Sequence, residues 1–299
     1  MALSRTFRLN TGALIPAVGF GTWQSKSTTV KIAVDCALKT GYRHIDTAYA
    51  YNNEKEIGEA IANSNIPREK LFITTKLWNT FHAREDVQPA FELSLKNLGL
   101  DYIDLYLMHW PLAIRKNECL DLEPKKPDGT FDWVDIDYAE VWSEMEKIDP
   151  SKVKAIGVSN FSIGRLERLI SKARIIPAVN QVELHPYLPQ WKLLEFCKEN
   201  NIHVTAYSPL GSTNAPLLTD PTLTAIAKSN QKSIVQVLIS WAVQRGTSVL
   251  PKSVTPSRIK ANFNDFLLPE KDFELINKIT TRTRYLKPKG YPDVFGDDF

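Results

Sequence analysis

The sequence predicts an α/β fold: a (β/α)8 TIM barrel entered by an N-terminal β-hairpin and left by a long C-terminal tail. Short apolar runs alternate with helix-period runs almost from end to end. The short runs are apolar at consecutive positions, as strands of a parallel sheet covered on both faces are. Their number reaches eight in a chain of 299 residues, a length that can bury one large core. The whole chain, 1–299, therefore reads as a single domain.

At the N-terminus, Thr6-Phe7-Arg8-Leu9, then Asn10-Thr11-Gly12, then Leu14-Ile15 make strand, turn and strand, a hairpin suited to plugging the bottom of a barrel. The eight barrel strands are expected at 17–21, 43–46, 71–75, 103–108, 155–158, 178–182, 203–207 and 248–250. Between the first two, Val30, Ala33, Val34, Ala37 and Leu38 keep the stripe of an amphipathic helix that Gly41 stops. Residues 86–98, closed by Gly99, repeat the pattern, as do 190–200 and 233–243, the last carrying Ile234, Val237, Leu238 and Trp241. The segment 112–138 is too long for a βα loop and is rich in Pro, Lys and Asp; it is expected to overhang the top face, where long loops shape the site. The tail, 283–299, has no periodicity but keeps Tyr285, Tyr291 and Phe295.

Composition narrows the function. Hydrophobic content of 43%, charged content of 24% and a net charge of +3 are ordinary for a globular protein. No cluster of Lys and Arg interleaved with aromatics marks a nucleic-acid surface. Cys36, Cys119 and Cys197 lie far apart and make no metal-ligand spacing, so they read as reduced thiols. Without a secretory h-region or an apolar stretch near the ~20 residues of a membrane span, the expectation is a cytoplasmic protein with no metal, no nucleic acid and no membrane partner.

In a barrel, the C-terminal ends of the strands converge on one mouth. Asp46 ends the 43–46 run, Lys76 follows 71–75 and His109 follows 103–108; Tyr51 lies on the loop after Asp46. Singly, a strand-end Asp or Lys is ordinarily half of an ion pair. Together at successive strand ends, they make a proton donor. A phenol has a reference pKa near ~10. An ammonium in reach favours its phenolate, and a buried Asp holds that ammonium charged and oriented. Such a Tyr can protonate a carbonyl oxygen while the carbon is attacked, and His109 can donate a second hydrogen bond to the same oxygen. Tyr49, on the same short loop, competes with Tyr51 for the role.

The attack needs a source of electrons. No G-x-G-x-x-G follows any strand. After the last strand, however, Lys252, Ser253 and Arg258 surround a turn that enters a helix, where barrel phosphate sites commonly form. Lys and Arg together suit a phosphate monoester better than a ribose hydroxyl. The stretch Tyr207-Ser208-Pro209-Leu210-Gly211-Ser212 adds an aromatic face and a small-residue loop able to lie against a pyrophosphate. Trp23, Trp78 and Trp110, just past strand ends, give the mouth aromatic walls, whereas Trp142 and Trp241 sit in helical patterns and read as packing. Asn79 and Asn214 are the polar candidates for substrate hydroxyls.

Over essentially its whole length the chain resembles the aldo-keto reductase superfamily. The resemblance is carried by Gly41-Tyr42-Arg43-His44-Ile45-Asp46-Thr47-Ala48 with Tyr51 and Asn53-Glu54, by Ile156-Gly157-Val158-Ser159-Asn160-Phe161, by Asn180-Gln181-Val182-Glu183, and by Pro251-Lys252-Ser253 with Arg258. Its finer texture is most similar to the fungal and yeast reductases of aldoses, glycerol-type aldehydes and other small carbonyl compounds.

The resemblance implies reduction of a small-molecule carbonyl substrate by NADPH in a monomer. Tyr51, rather than Tyr49, would be the acid; Lys76 and Asp46 would lower its pKa, and His109 would orient the carbonyl. Ser159, Asn160 and Gln181 would hold the nicotinamide carboxamide and Tyr207 would stack on the ring. Ser208, Leu210 and Ser212 would line the pyrophosphate channel. Lys252, Ser253 and Arg258 would grip the 2′-phosphate, with Asn262 on the adenine and Trp23, Trp78 and Trp110 around the substrate. Ala261 stands where many relatives carry an acidic residue, so fewer adenine contacts are expected. Residues 213–220 are shorter than the segment that crosses the cofactor in the animal aldose-reductase-like members. A second reading is an NADPH-binding regulatory subunit of the same fold with negligible turnover. A third, steroid double-bond reduction, would be expected to replace the His with Glu.

Overall fold

The computed structural model describes residues 6–212 and 215–295. Strands β1 (Thr6–Arg8) and β2 (Leu14–Pro16) pair antiparallel as the expected hairpin. Then strand and helix alternate: β3 (Phe20–Gly21), α1 (Ser27–Thr40), β4 (His44–Asp46), α2 (Glu54–Ala62), β5 (Phe72–Leu77), α3 (Arg84–Leu98) and β6 (Leu105–Met108). A small antiparallel pair, β7 (Ala113–Ile114) and β8 (Trp133–Val134), interrupts the series before α4 (Tyr138–Met145). The alternation resumes with β9 (Ile156–Ser159), α5 (Ile163–Ile170), β10 (Val179–Glu183), α6 (Trp191–Glu199) and β11 (His203–Tyr207). Two helices follow, α7 (Pro221–Ser229) and α8 (Ile234–Gln244), then β12 (Ser248–Val249), α9 (Pro256–Asn262) and α10 (Glu270–Asn277).

Eight parallel strands run in the order β3-β4-β5-β6-β9-β10-β11-β12. The residues just before β3 close the ring: Val18 bridges Val249 in parallel, Gly19 N donates to Val249 O (2.9 Å) and Val249 N donates to Ala17 O (2.8 Å). The expected run 17–21 is thus divided, its first half joining the last strand and its second half the next one. This is a (β/α)8 barrel.

Burial explains the strands. β4, β5, β6, β9 and β10 are buried at every residue, which is why they read as continuous apolar runs. α1 turns its expected stripe, Val30 to Leu38, into the core and ends at Gly41, whose amide bonds back to Ala37 and Leu38. α8 starts from a capping box between Ser233 and Gln236. Trp142 and Trp241 are buried and donate to Ile175 O and Asn277 Oδ1, as packing residues.

The hairpin forms the floor. Leu9 and Ile15 join Phe72, Leu105 and Val179, the first residues of β5, β6 and β10, in a separate apolar cluster. At the other end, the 112–138 segment and the tail form the roof. Trp78 Nε1 donates to Leu122 O (2.6 Å), and the Tyr291 ring packs edge-on against Trp110, Phe131 and Trp133. Among the described residues, no helix is long and apolar enough to cross a membrane.

Candidate active site

Asp46 ends β4 and His109 directly follows β6. Lys76 is not where its strand stops, as the sequence suggested; β5 continues to Leu77, which pairs with Met108. The strands are neighbours in the sheet, so the three side chains meet at one mouth. Lys76 Nζ donates to Asp46 Oδ1 (2.7 Å), Thr47 O (2.8 Å) and Tyr51 Oη (3.3 Å), which uses all three ammonium protons.

Tyr51 closes a single 3-10 turn, Tyr49–Tyr51. Asn53 ties that turn down: its Nδ2 donates to Thr22 O and Ser25 O, and its Oδ1 accepts from Thr47 Oγ1, each at 3.1 Å. Tyr49 points elsewhere, its ring edge-on to Phe81 at 5.1 Å. Of the two tyrosines, Tyr51 is the one that accepts a hydrogen bond from Lys76. The His109 ring stands edge-on to both Tyr51 (5.7 Å) and Trp78 (5.1 Å), and its carbonyl accepts from Asn160 Nδ2 (2.9 Å).

The electrostatics differ from the expectation that Lys76 and Asp46 lower the Tyr51 pKa. Burial, and then the Asp46 carboxylate, push Tyr51 well above the ordinary phenol value. Desolvation of a phenolate in this wall outweighs one hydrogen bond from an ammonium that Asp46 already neutralises. The phenol is therefore held protonated. Burial draws Lys76 below the usual lysine value while Asp46 pulls the other way. Burial, Lys76 and His82 hold His109 well below the usual imidazole range, so it is neutral, with one ring nitrogen a donor.

A cavity of about 1210 Å³ opens at this mouth. Asp46, Tyr51 and His109 line it with Trp23, Trp78 and Trp110; Lys76 lies wholly buried behind. Ser159, Asn160, Gln181, Tyr207, Ser208, Leu210, Ser212, Lys252, Ser253, Arg258 and Asn262 line the same cavity. The amide cluster is wired to the tetrad: Gln181 Nε2 donates to Asp46 Oδ2 (2.7 Å), Ser159 Oγ to Gln181 O (2.9 Å) and Tyr207 Oη to Asn160 Oδ1 (2.7 Å). Asn160 holds a left-handed backbone, φ +64, which places its amide between His109 and Tyr207.

Some residues fall elsewhere. Asn79 is fully buried and does not line the cavity. Asn214 lies outside the described residues. Conversely, Leu122 and Glu123 from the long loop, and Tyr285, Leu286, Lys287, Pro288 and Tyr291 from the tail, line the cavity without having been named for it. The aromatics left in an aperiodic tail were the available signal. Among the described residues, no group of His, Cys, Asp or Glu is placed to hold a metal ion.

A barrel whose strand ends carry a Tyr–Lys–Asp–His set beside a long cationic-ended cavity defines a class of oxidoreductase. Residues 17–281 match the model of the aldo/keto reductase family, and the chain belongs to that family. It is 51% identical to a glycerol 2-dehydrogenase (NADP(+)) of Saccharomyces cerevisiae, covering 93% of this chain and 91% of the relative. It is 45% identical to a D-galacturonate reductase of Hypocrea jecorina, covering 99% and 98%. The aldose reductase from Schistosoma japonicum has the same fold, with a TM-score of 0.90 at 42% identity over 94% of each chain.

Proposed function

We propose that this chain reduces aldehydes and ketones to alcohols with NADPH, acting on small aldehydes, aldoses or dicarbonyl compounds. The observation that carries the reading is Lys76 Nζ, placed between Asp46 (2.7 Å) and the Tyr51 hydroxyl (3.3 Å) on a cavity that also holds Lys252 and Arg258. The donor set fits the cofactor: an ammonium, a guanidinium and the Ser253 hydroxyl suit a phosphate monoester, and the amides of Asn160 and Gln181 suit a carboxamide. Tyr207 offers an aromatic face, and Ser208, Leu210 and Ser212 a channel wall; Asn262, on the same cavity, would meet the adenine. These residues would hold NADPH, which would supply the hydride.

The chain's own residues handle the proton. Tyr51 Oη gives its proton to the carbonyl oxygen as negative charge develops there. The oxygen of an incipient alkoxide is far more basic than a phenolate, so a raised phenol pKa does not block the transfer. Lys76 stabilises the phenolate through its hydrogen bond, and Asp46 with Thr47 O fixes the ammonium in line. His109, neutral, donates to the same carbonyl oxygen and orients it against Tyr51. Trp23, Trp78 and Trp110 exclude water and give an apolar wall that tolerates varied shapes.

The relatives named for glycerol and galacturonate oxidoreduction support small polyol-type carbonyls. The intact tetrad favours turnover over the regulatory-subunit reading. NADPH oxidation should be followed with glyceraldehyde, aldoses, uronic acids, dicarbonyls and keto esters. Turnover with several of them is expected. Tight NADPH binding with no turnover across the panel would establish the regulatory reading instead.

A further inference from the structure

Glu183 ends β10, two residues beyond Gln181 and in register with Tyr207, where a barrel carboxylate is ordinarily read as catalytic. It is fully buried and does not line the cavity. Its oxygens are spent on the chain itself. Oε1 accepts from Tyr285 N (2.6 Å) and lies 2.9 Å from His185 Nε2; Oε2 accepts from Leu286 N (2.8 Å). Burial alone would raise this carboxyl, but the His185, Tyr285 and Leu286 contacts more than offset it and hold the group below the usual carboxylate range. The two amide donors lie 102 and 103 residues away in sequence and belong to the tail.

The tail so held forms cavity wall. Tyr285, Leu286, Lys287 and Pro288 face the cavity, and the Tyr285 ring lies against Gly211, where an added Cβ would come within 2.9 Å of it. Gly211 belongs to the 207–212 loop that lines the same cavity. Farther on, Tyr291 Oη donates to Glu123 Oε1 (3.2 Å) and Arg165 Nε to Val294 O (3.2 Å). Residues 287–290 therefore span the mouth between an inner anchor at Glu183 and an outer one at Tyr291.

We propose that Glu183 is a positioning residue that pins the C-terminal tail across the mouth, so that the tail and the 207–212 loop form one continuous wall of the cavity that holds cofactor and substrate together. This rests on the reading of the cavity given above. The carboxylate takes no part in proton transfer; it sets substrate affinity by ordering the wall in advance, since a wall ordered only on binding costs affinity. Charge-assisted bonds to backbone amides are among the stronger ones, so their loss should free the tail measurably.

The test compares Glu183→Gln, Glu183→Ala and Leu286→Pro, the last removing one donor from the tail side. The readouts are steady-state kinetics with glyceraldehyde, a pH profile of kcat, and backbone hydrogen exchange over 283–290. Expected are a KM raised about tenfold or more, kcat changed less than about threefold with its pH profile unmoved, and loss of exchange protection at Tyr285 and, in the Glu183 variants, at Leu286. Glu183→Ala combined with Leu286→Pro should be no worse than the more severe single change. An unchanged KM with a fallen kcat and a shifted pH profile would put Glu183 in the chemistry and overturn the proposal, as would wild-type exchange protection. If Glu183→Ala does not fold, Glu183→Gln decides between the same outcomes. Should the wild-type chain reduce nothing, the functional reading fails while hydrogen exchange still decides the pin.

Discussion

Lys76 is the residue on which the site depends, because its three protons are divided among a carboxylate, a backbone carbonyl and the Tyr51 phenol. The sequence shows that a Lys and an Asp stand near strand ends, but not that Gln181 takes the second Asp46 oxygen, since that contact crosses 135 positions. Nor does it show the direction of the Tyr51 pKa, which depends on how much water the folded wall excludes. Asn79 teaches the same lesson: a polar residue after a strand reads as a pocket group, and only packing reveals that it is buried. At the far side of the cavity, Lys252 and Arg258 are both exposed, and on the proposed reading their charges would discriminate between cofactors by gripping a dianionic phosphate together. Lys252→Ala with Arg258→Ala should weaken NADPH roughly ten- to a hundredfold and NADH by less than about threefold. Fluorescence titration of both cofactors checks this; equal losses would misplace the phosphate.

Helices and strands with a strong period were legible. The α1 stripe and Gly41, the α3 stop at Gly99 and the all-buried β6 lie within a few residues of their expected places. The elements that were not legible are held by side chains remote in sequence: the β7–β8 pair inside the long loop, and the tail, which has no period because it is fixed by Glu183 and by stacking. Packing between elements also places a demand the sequence hides. α2 crosses the C-terminal end of α3 so closely that a Cβ on Gly58 would meet Leu98 O at 2.2 Å, a backbone atom that cannot swing aside. Gly58→Ala should therefore lower stability by about 1–3 kcal/mol through forced separation, despite a helix-propensity gain of about 1 kcal/mol. Chemical denaturation checks the sign; a stabilised variant would show the two helices to be freely adjustable.

For the molecule as a whole, acid stability follows from its buried histidines. Burial holds His44 and His82 at about 3 and His203 at about 4, against an unfolded value of 6.5. Between those values the unfolded chain binds protons that the folded chain refuses. Stability is therefore full above 6.5 and declines as pH falls toward the folded values. Glu54 and Asp104, raised by burial, act in the opposite sense nearer the carboxylate range. The unfolding midpoint should drop from pH 7 to pH 5, and a flat profile there would mean that these rings are not buried neutral. The floor that shelters His203 beneath Phe7 and the roof over Tyr51 belong to opposite ends of one barrel.

On the proposed reading the same separation extends to function, because Tyr51 and the Lys252–Arg258 turn line different stretches of one cavity. Tyr51→Phe removes only the phenolic hydroxyl. Measured together, carbonyl reduction by Tyr51→Phe should fall by at least about a hundredfold, while NADPH affinity stays within about threefold of the wild-type chain. Retained turnover, or NADPH binding lost along with it, would contradict the assignment of Tyr51 as the proton donor.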